Sequence, residues 1–407
     1  RGLGDVYKRQ GTQAAYFFNT SVVTSSDYND YFSSYDYPIY YSGNKTLVEW
    51  QSYGQDSSSL NINPMFDADS SLVPTSYILD NKGTLLAGIT DDIFGSNRSE
   101  STPDMGAIEF TVAGSFLSGN YTVGTGGDFD SISNAINSLV IYGISGPVTF
   151  NILPGTYTEQ LTIGEVYGAS SVNTLTIQSS TGDTADVSWQ YTPTSSANYV
   201  LKLNGTDHLT IRNIGFDVSA SSSYGTILEI SGETDSLKIE GNEFRGYDYT
   251  SNSGNHYLVE STSNPGTGMV FTDNTFLQGS AGILLNNGAA DDGEFKITNN
   301  TSIGQYFGFW IQAIDSIEVS GNTVAGDHSG YGIYVRACNP AIVTGNKVTE
   351  NTTNSMNRGI YIHDCDGNTS DERTLIANNM VKAYGLALDV RNTDYADILS
   401  LIHISEP

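Results

Sequence analysis

Val319-Ser320-Gly321-Asn322-Thr323-Val324 and Val343-Thr344-Gly345-Asn346-Lys347-Val348 are two copies of one pattern. An apolar strand is followed by a small or polar residue, Asn, any residue, and usually an apolar residue. Ile239-Glu240-Gly241-Asn242-Glu243-Phe244, Phe271-Thr272-Asp273-Asn274-Thr275-Phe276, Ile297-Thr298-Asn299-Asn300-Thr301-Ser302 and Ile376-Ala377-Asn378-Asn379-Met380-Val381 repeat it. Ile211-Arg212-Asn213-Ile214-Gly215-Phe216 is a weaker copy. The aligned residues Asn242, Asn274, Asn300, Asn322, Asn346 and Asn379 lie 22 to 33 residues apart. A period of that length is the signature of a stacked-repeat architecture.

Each interval holds a second strand that opens on glycine: Gly282-Ile283-Leu284-Leu285, Gly308-Phe309-Trp310-Ile311, Gly332-Ile333-Tyr334-Val335, Gly359-Ile360-Tyr361-Ile362 and Gly385-Leu386-Ala387-Leu388. Two or three short strands with tight turns fill a repeat, and no segment is long enough for a helix. One such repeat cannot bury its own apolar face, whereas stacked repeats can. Identical Asn side chains stacked one strand spacing apart form amide ladders, as in cross-β stacks. Turn asparagines of a propeller are the alternative, but its blades run to about 40 residues. The reading is an all-β, right-handed parallel β-helix. Before it, Ile132, Ala135, Ile136 and Leu139 fall at helical spacing, with Asp130 or Ser131 as N-cap. This short helix would cap the open end, which otherwise exposes an edge strand.

The segment Gly124-Thr125-Gly126-Gly127-Asp128-Phe129, the Ala135-Ile136 helix and Pro154-Gly155-Thr156-Tyr157-Thr158-Glu159 resemble the start of pectin-esterase-like and pectate-lyase-like β-helix proteins. The resemblance spans 121–390 and implies the fold. The esterase signatures Gln-Asp-Thr, Asp-Phe-Ile-Phe-Gly and Leu-Gly-Arg-Pro-Trp have no counterpart, so it does not carry over esterase residues.

The chain divides by composition. Residues 1–10 and 399–407 read as the two complementary translations of a transposase-type sequencing adapter, which leaves 11–398 as natural sequence open at both ends. No signal peptide or transmembrane segment is visible. Residues 11–117 contain Asn63-Pro64-Met65-Phe66, Asp91-Asp92-Ile93-Phe94-Gly95-Ser96-Asn97-Arg98 and Pro103-Asp104-Met105-Gly106-Ala107-Ile108-Glu109. They resemble the closing segment of a β-helix in secreted bacterial repeat proteins. That resemblance implies that Arg98 pairs with Asp104 or Glu109 to fasten an end cap. A calcium site from Asp91, Asp92 and Glu109 is the alternative. The β-helix proper is then 118–398, following the tail of another unit.

With 45 acidic and 17 basic residues the net charge is −28, which excludes nucleic acid, since phosphate binding needs clustered Lys and Arg. Lysine is scarce while Tyr, Asn, Thr and Gly abound, which fits extended structure outside the cell or on a bacterial surface, without membrane insertion and as a monomer.

Outward residues of the second strand form columns, because side chains alternate faces. One column reads Leu284, Trp310, Tyr334, Tyr361, Ala387, and the other Asn286, Gln312, Arg336, His363, Asp389. A looser alignment continues the second column upstream through Lys202, Glu229 and Glu260. Trp310, Tyr334 and Tyr361 beside Gln312, Arg336, His363 and Asp389 suit a polysaccharide: ring faces pack on sugars, and the polar groups hold hydroxyls. Stacking that merely stabilises the coils is the alternative.

Catalytic candidates are Glu229 with Glu260, as acid and base for glycoside hydrolysis, and Arg336 or His363 as a lyase base. Asp364, Asp366 and Asp389 would then hold calcium; no other cofactor is implied. Two function classes follow. A non-catalytic, adhesin-like surface protein contacting polysaccharide is favoured by the missing family motifs, the tandem organisation and the scarcity of basic residues. A polysaccharide lyase or glycoside hydrolase is the alternative.

Cys338 and Cys365 lie six residues after Gly332 and Gly359, at the same place on consecutive coils, with Ile314 one coil earlier. A disulfide and a pair of reduced core thiols both suit that spacing. The histidines at 208, 256, 328 and 363 are expected at the surface or in turns.

Overall fold

The computed structural model describes residues 6–9, 14–17, 25–33, 37–67, 72–249, 251–261, 266–286, 295–326, 329–350, 357–367 and 372–405. The chain forms two compact units: residues 1–117 with 137–145, and 118–136 with 146–407.

The second unit is a right-handed parallel β-helix. Its strands fall into three sheets of 11, 10 and 9 strands. Each coil gives one strand to each sheet, so a full repeat has three strands. One coil, for instance, contributes Phe295–Thr298, Thr301–Ile303 and Phe307–Gln312. Successive coils pair in parallel, with Val319 opposite both Ile297 and Val343. Inward positions are filled by stacked apolar side chains. In the second sheet the rings of Trp189, Phe216, Phe244 and Phe276 stack at 5.5, 5.2 and 5.0 Å, close to the strand spacing that sets their separation.

The repeated motif is the corner between the first and second sheets. Its small or polar residue is Asn213, Gly241, Asp273, Asn299, Gly321, Gly345 or Asn378, and each sits at φ between +56° and +66°. Only Gly, Asn and Asp visit that region cheaply. The next residue is the ladder asparagine at every corner but the first, where Ile214 follows Asn213 and its N–H donates to Asn242 Oδ1 at 3.0 Å. Asn322 donates from its backbone N and from Nδ2 to Asn346 Oδ1 (3.0 and 2.9 Å), and from Nδ2 to Ile297 O at 2.8 Å. The same bonds recur at Asn242, Asn274, Asn300 and Asn346, and the run ends on Asn379, whose Nδ2 reaches Val343 O. All six are buried.

The opening motif closes on itself. Tyr157 Oη donates to Leu153 O at 2.8 Å and sits against Gly124, where a Cβ would overlap it. Helix Ile132–Tyr142 begins here. Ser131, not Asp130, is its N-cap, accepting from Asn134 N at 3.1 Å. Glu159 accepts from the N–H groups of Ile132 and Ser133 at 3.2 and 2.7 Å. A carboxylate there meets two otherwise orphaned donors and the positive end of the helix.

In the first unit Asp30 pairs in parallel with Val6 and with Leu60. Trp50 is fully buried, donates from Nε1 to Asp56 Oδ2 at 2.6 Å, and stacks on Phe17. The ionic partner of Arg98 is Glu109, at 3.7 Å, while Asp104 and Gly106 offer it backbone carbonyls. Asp104 turns its own carboxylate to Asn81 N and Phe110 N, and burial raises its pKa to about 6. The alternative calcium grouping is not found among the described residues, and Asp92 instead accepts from the N–H groups of Phe94, Ser96 and Glu109.

Candidate ligand-binding face

The third sheet carries the columns expected from its alternation. Leu284, Trp310, Tyr334 and Tyr361 follow one another on successive coils, flanked by Asn286, Gln312, Arg336 and His363. Two expectations need correction. Asp389 stacks on Tyr361, and the partner of His363 is Arg391. The last strand is therefore read two residues too early from sequence: Ala387, not Gly385, follows Gly359, and Ala387 is buried. Upstream, Lys202, Glu229 and Glu260 pair in turn and lead into Leu284, so they extend the aromatic column rather than the polar one.

A third column stands beside these. Ala281, Phe307, Tyr331, Arg358 and Leu386 pair in register, the first four just before the glycine of their strand and Leu386 just before Ala387. Its signal in the sequence is the residue preceding Gly308, Gly332 and Gly359. The result is a continuous aromatic cluster. Phe307 stacks on Tyr331 at 5.5 Å and touches Trp310 at 4.6 Å; Trp310 meets Tyr334 at 5.4 Å, and Tyr334 meets Tyr361 at 5.0 Å. Leu284 is buried with Tyr257, Ala281 and Phe307, and Trp310 packs on them. Trp310, Tyr334 and Tyr361 are half-buried rather than freely exposed. Trp310 Nε1 is buried with no acceptor.

Cations rim the cluster. Arg358 lies 5.2 Å from the ring centres of both Tyr331 and Tyr361, and Arg391 lies 5.8 Å from Tyr361. Asp389 ties them together, at 2.5 Å from Arg358 Nε and 2.8 Å from Arg391 Nε. Hydrogen bonds from Arg391 and then Arg358 hold its carboxyl below the usual range despite its burial. Asp389 therefore does not join Asp364 and Asp366 as a calcium cage. Asp364 faces Arg336 and His363 at 3.7 and 3.3 Å, and Asp366 accepts from Asp394 N. Among the described residues no group of three His, Cys, Asp or Glu is arranged to hold a metal ion. Arg336 and His363, the lyase-base candidates, share the same carboxylate.

At the other end of the aromatic column Lys202 Nζ lies 2.7 Å from Glu229 Oε1. Glu260, one coil on, is pushed up to about 7 by burial and then by the charge of Glu229. Glu229 thus faces an ammonium, while Glu260 beside it tends to keep its proton.

His256 is not a surface residue: it is buried, stacked on Tyr249 at 4.4 Å, and burial lowers its pKa. His208 occupies a turn at φ +54°. His328 and residues 351–356 of one long insertion lie outside the described residues. Among the described residues no helix is long and apolar enough to cross a membrane.

Residues 258–394 match the family model described as right handed beta helix region. No curated protein sequence matches the chain. Two solved structures illustrate what it is similar to. A deglycosylated pectin methylesterase from Aspergillus niger shares 13% identity, with 73% of this chain and 87% of that chain covered and a TM-score of 0.38. A pectin methylesterase in complex with a hexasaccharide shares 13% identity, with 67% and 82% covered and a TM-score of 0.36.

Proposed function

We propose that this β-helix is an extracellular surface module that binds a glycan on its third sheet, with the sugar chain laid along the solenoid axis. One observation carries the reading: a contiguous ring surface from Trp310 through Tyr334 to Tyr361, bordered by Gln312, Arg336 and Arg391. Rings held by packing on both sides offer apolar area without an ordering cost. The guanidiniums at its edge supply fixed donors for hydroxyl or carboxyl oxygens. Binding without turnover also suits Asp389, whose charge is spent on two arginines. Retention on affinity gels containing a panel of plant and bacterial polysaccharides tests this. Tyr334→Ala should weaken retention about tenfold, the equivalent of one lost stacking contact. Tyr334→Phe should keep it. Equal retention of Tyr334→Ala and the parent on every gel rejects the face.

One observation favours a second reading, glycoside hydrolysis. Glu229 and Glu260 are neighbours on adjacent coils: Glu229 faces the Lys202 ammonium and Glu260 is pushed up to about 7, an arrangement that suits a nucleophile and an acid. Glu260 would protonate the leaving oxygen while Glu229 attacks the anomeric carbon. Glu260→Gln should abolish release of reducing sugar without changing retention on the gels. The same residue has a pH signature. Its folded pKa of about 7 lies above the ordinary 4.5, so its contribution to stability is complete below about 4.5 and lost as pH rises through 7. The parent's thermal midpoint should fall between pH 5 and 8, and Glu260→Gln should flatten that slope. An unchanged slope means that Glu260 ionises normally and removes the basis of the hydrolase reading.

A further inference from the structure

Cys338 and Cys365 do not belong to the sugar-facing columns. They follow Arg336 and His363 by two residues, and those two pair directly across coils. Both cysteines are fully buried, and the structure holds them as free thiols. Their column begins with fully buried Ile314, and Cys365 N contacts Thr393 Oγ1 one coil later. The two thiols thus occupy equivalent places on adjacent coils. Cys365 Sγ reaches back across the coil gap to Val335 O at 3.6 Å, while Cys338 Sγ rests on Arg336 O at 3.2 Å. Strand-to-strand spacing in a sheet is about 4.8 Å, within the Cα separation a disulfide spans.

We infer that Cys338 and Cys365 are a cross-link site, joined coil to coil by exchange with a small-molecule disulfide such as oxidised glutathione. In the first step one cysteine thiolate attacks a glutathione sulfur, breaking the glutathione S–S bond and releasing one reduced glutathione. In the second the other thiolate attacks the protein sulfur of the mixed disulfide and releases the second. The two cysteine protons end on the two glutathione thiols, the protein is oxidised by two electrons, and glutathione is reduced by the same two. Burial pushes the Cys338 thiol up, so exchange proceeds while the coils are still assembling or transiently parted. The bond closes a loop between positions 27 residues apart and fastens the strand ends that carry Arg336 and His363.

The test uses the full chain, purified without reductant, incubated with oxidised glutathione, then unfolded and alkylated with iodoacetamide. Intact mass should show the loss of two hydrogens and no alkyl groups; prior reduction should give two alkyl groups. The oxidised form should melt roughly 5 °C above the reduced form. The double variant Cys338→Ala, Cys365→Ala should show no such difference, which separates the cross-link from any general effect of the reagent. Two alkyl groups on the oxidised sample, or a glutathione adduct left on one cysteine, overturns the inference. So does an equal melting difference in the double variant.

Discussion

Asn322→Ala should destabilise the second unit by about 3 to 5 kcal/mol, among the largest effects of any single polar substitution in the chain. Asn322 stands mid-ladder. Its Oδ1 accepts from Asn300 N at 2.8 Å and from Asn300 Nδ2 at 3.1 Å, and its Nδ2 donates to Ile297 O and Asn346 Oδ1. Truncation removes all four bonds at a site that no water reaches. A buried donor left unpaired costs about 1 to 3 kcal/mol on its own, and the Asn300 N–H loses its acceptor. Asn322→Asp should be no rescue, because it keeps an acceptor, loses the Nδ2 donor and adds a buried charge. Asn299→Gly tests the corner separately. Asn299 sits at φ +57°, and glycine fills the same place at Gly241, Gly321 and Gly345, so this change should be nearly neutral. Urea unfolding followed by circular dichroism measures all three. An Asn322→Ala loss below about 1 kcal/mol would mean the ladder is ornament to the fold.

That ladder is also why the architecture could be read from sequence. A buried amide must meet identical partners above and below, so the same residue type recurs at the same corner, coil after coil. The left-handed residue before it is restricted just as tightly, which fixes the small or polar position. Column identity is weaker information. A strand conveys which face a residue takes, with period two, and a slip of two residues leaves every face unchanged. Such a slip displaces Asp389: Gly385 aligns by type with Gly359, but it stands opposite Asn357, where the turn enters the strand. Lys202, Glu229 and Glu260 fall into the wrong column for the same reason, since their strands lack the leading glycine. Phe307, Tyr331 and Arg358 do not stand out in the sequence, because strict alternation hides a residue placed just before a bulge-like glycine. His256 reads as polar by type, and only tertiary packing against Tyr249 buries it.

The glycine that hides this third column also makes the site, and Gly308→Ala is the substitution that tests the link. The paired residues at this point skip from Phe307–Tyr331 to Phe309–Ile333, so the coils approach closely at the intervening glycine. A Cβ on Gly308 would overlap the Gly332 carbonyl oxygen and lie 2.5 Å from Val324 Cγ1. Neither neighbour can yield easily: one is backbone in the next coil, the other a fully packed core side chain. Overpacking of this kind costs about 3 kcal/mol. The strain falls between Phe307 and Trp310, whose rings are 4.6 Å apart, and so it should part the aromatic cluster before it unfolds the coil. Near-ultraviolet circular dichroism should lose intensity at temperatures where the far-ultraviolet spectrum is intact, and retention on polysaccharide gels should fall with it. Gly164→Ala is the control. Its Cβ would meet only Asn204 O, at 3.9 Å, so stability and retention should both stay at the parent's level. If Gly308→Ala keeps full retention, the close approach of the coils serves packing alone and the ring surface does not depend on it.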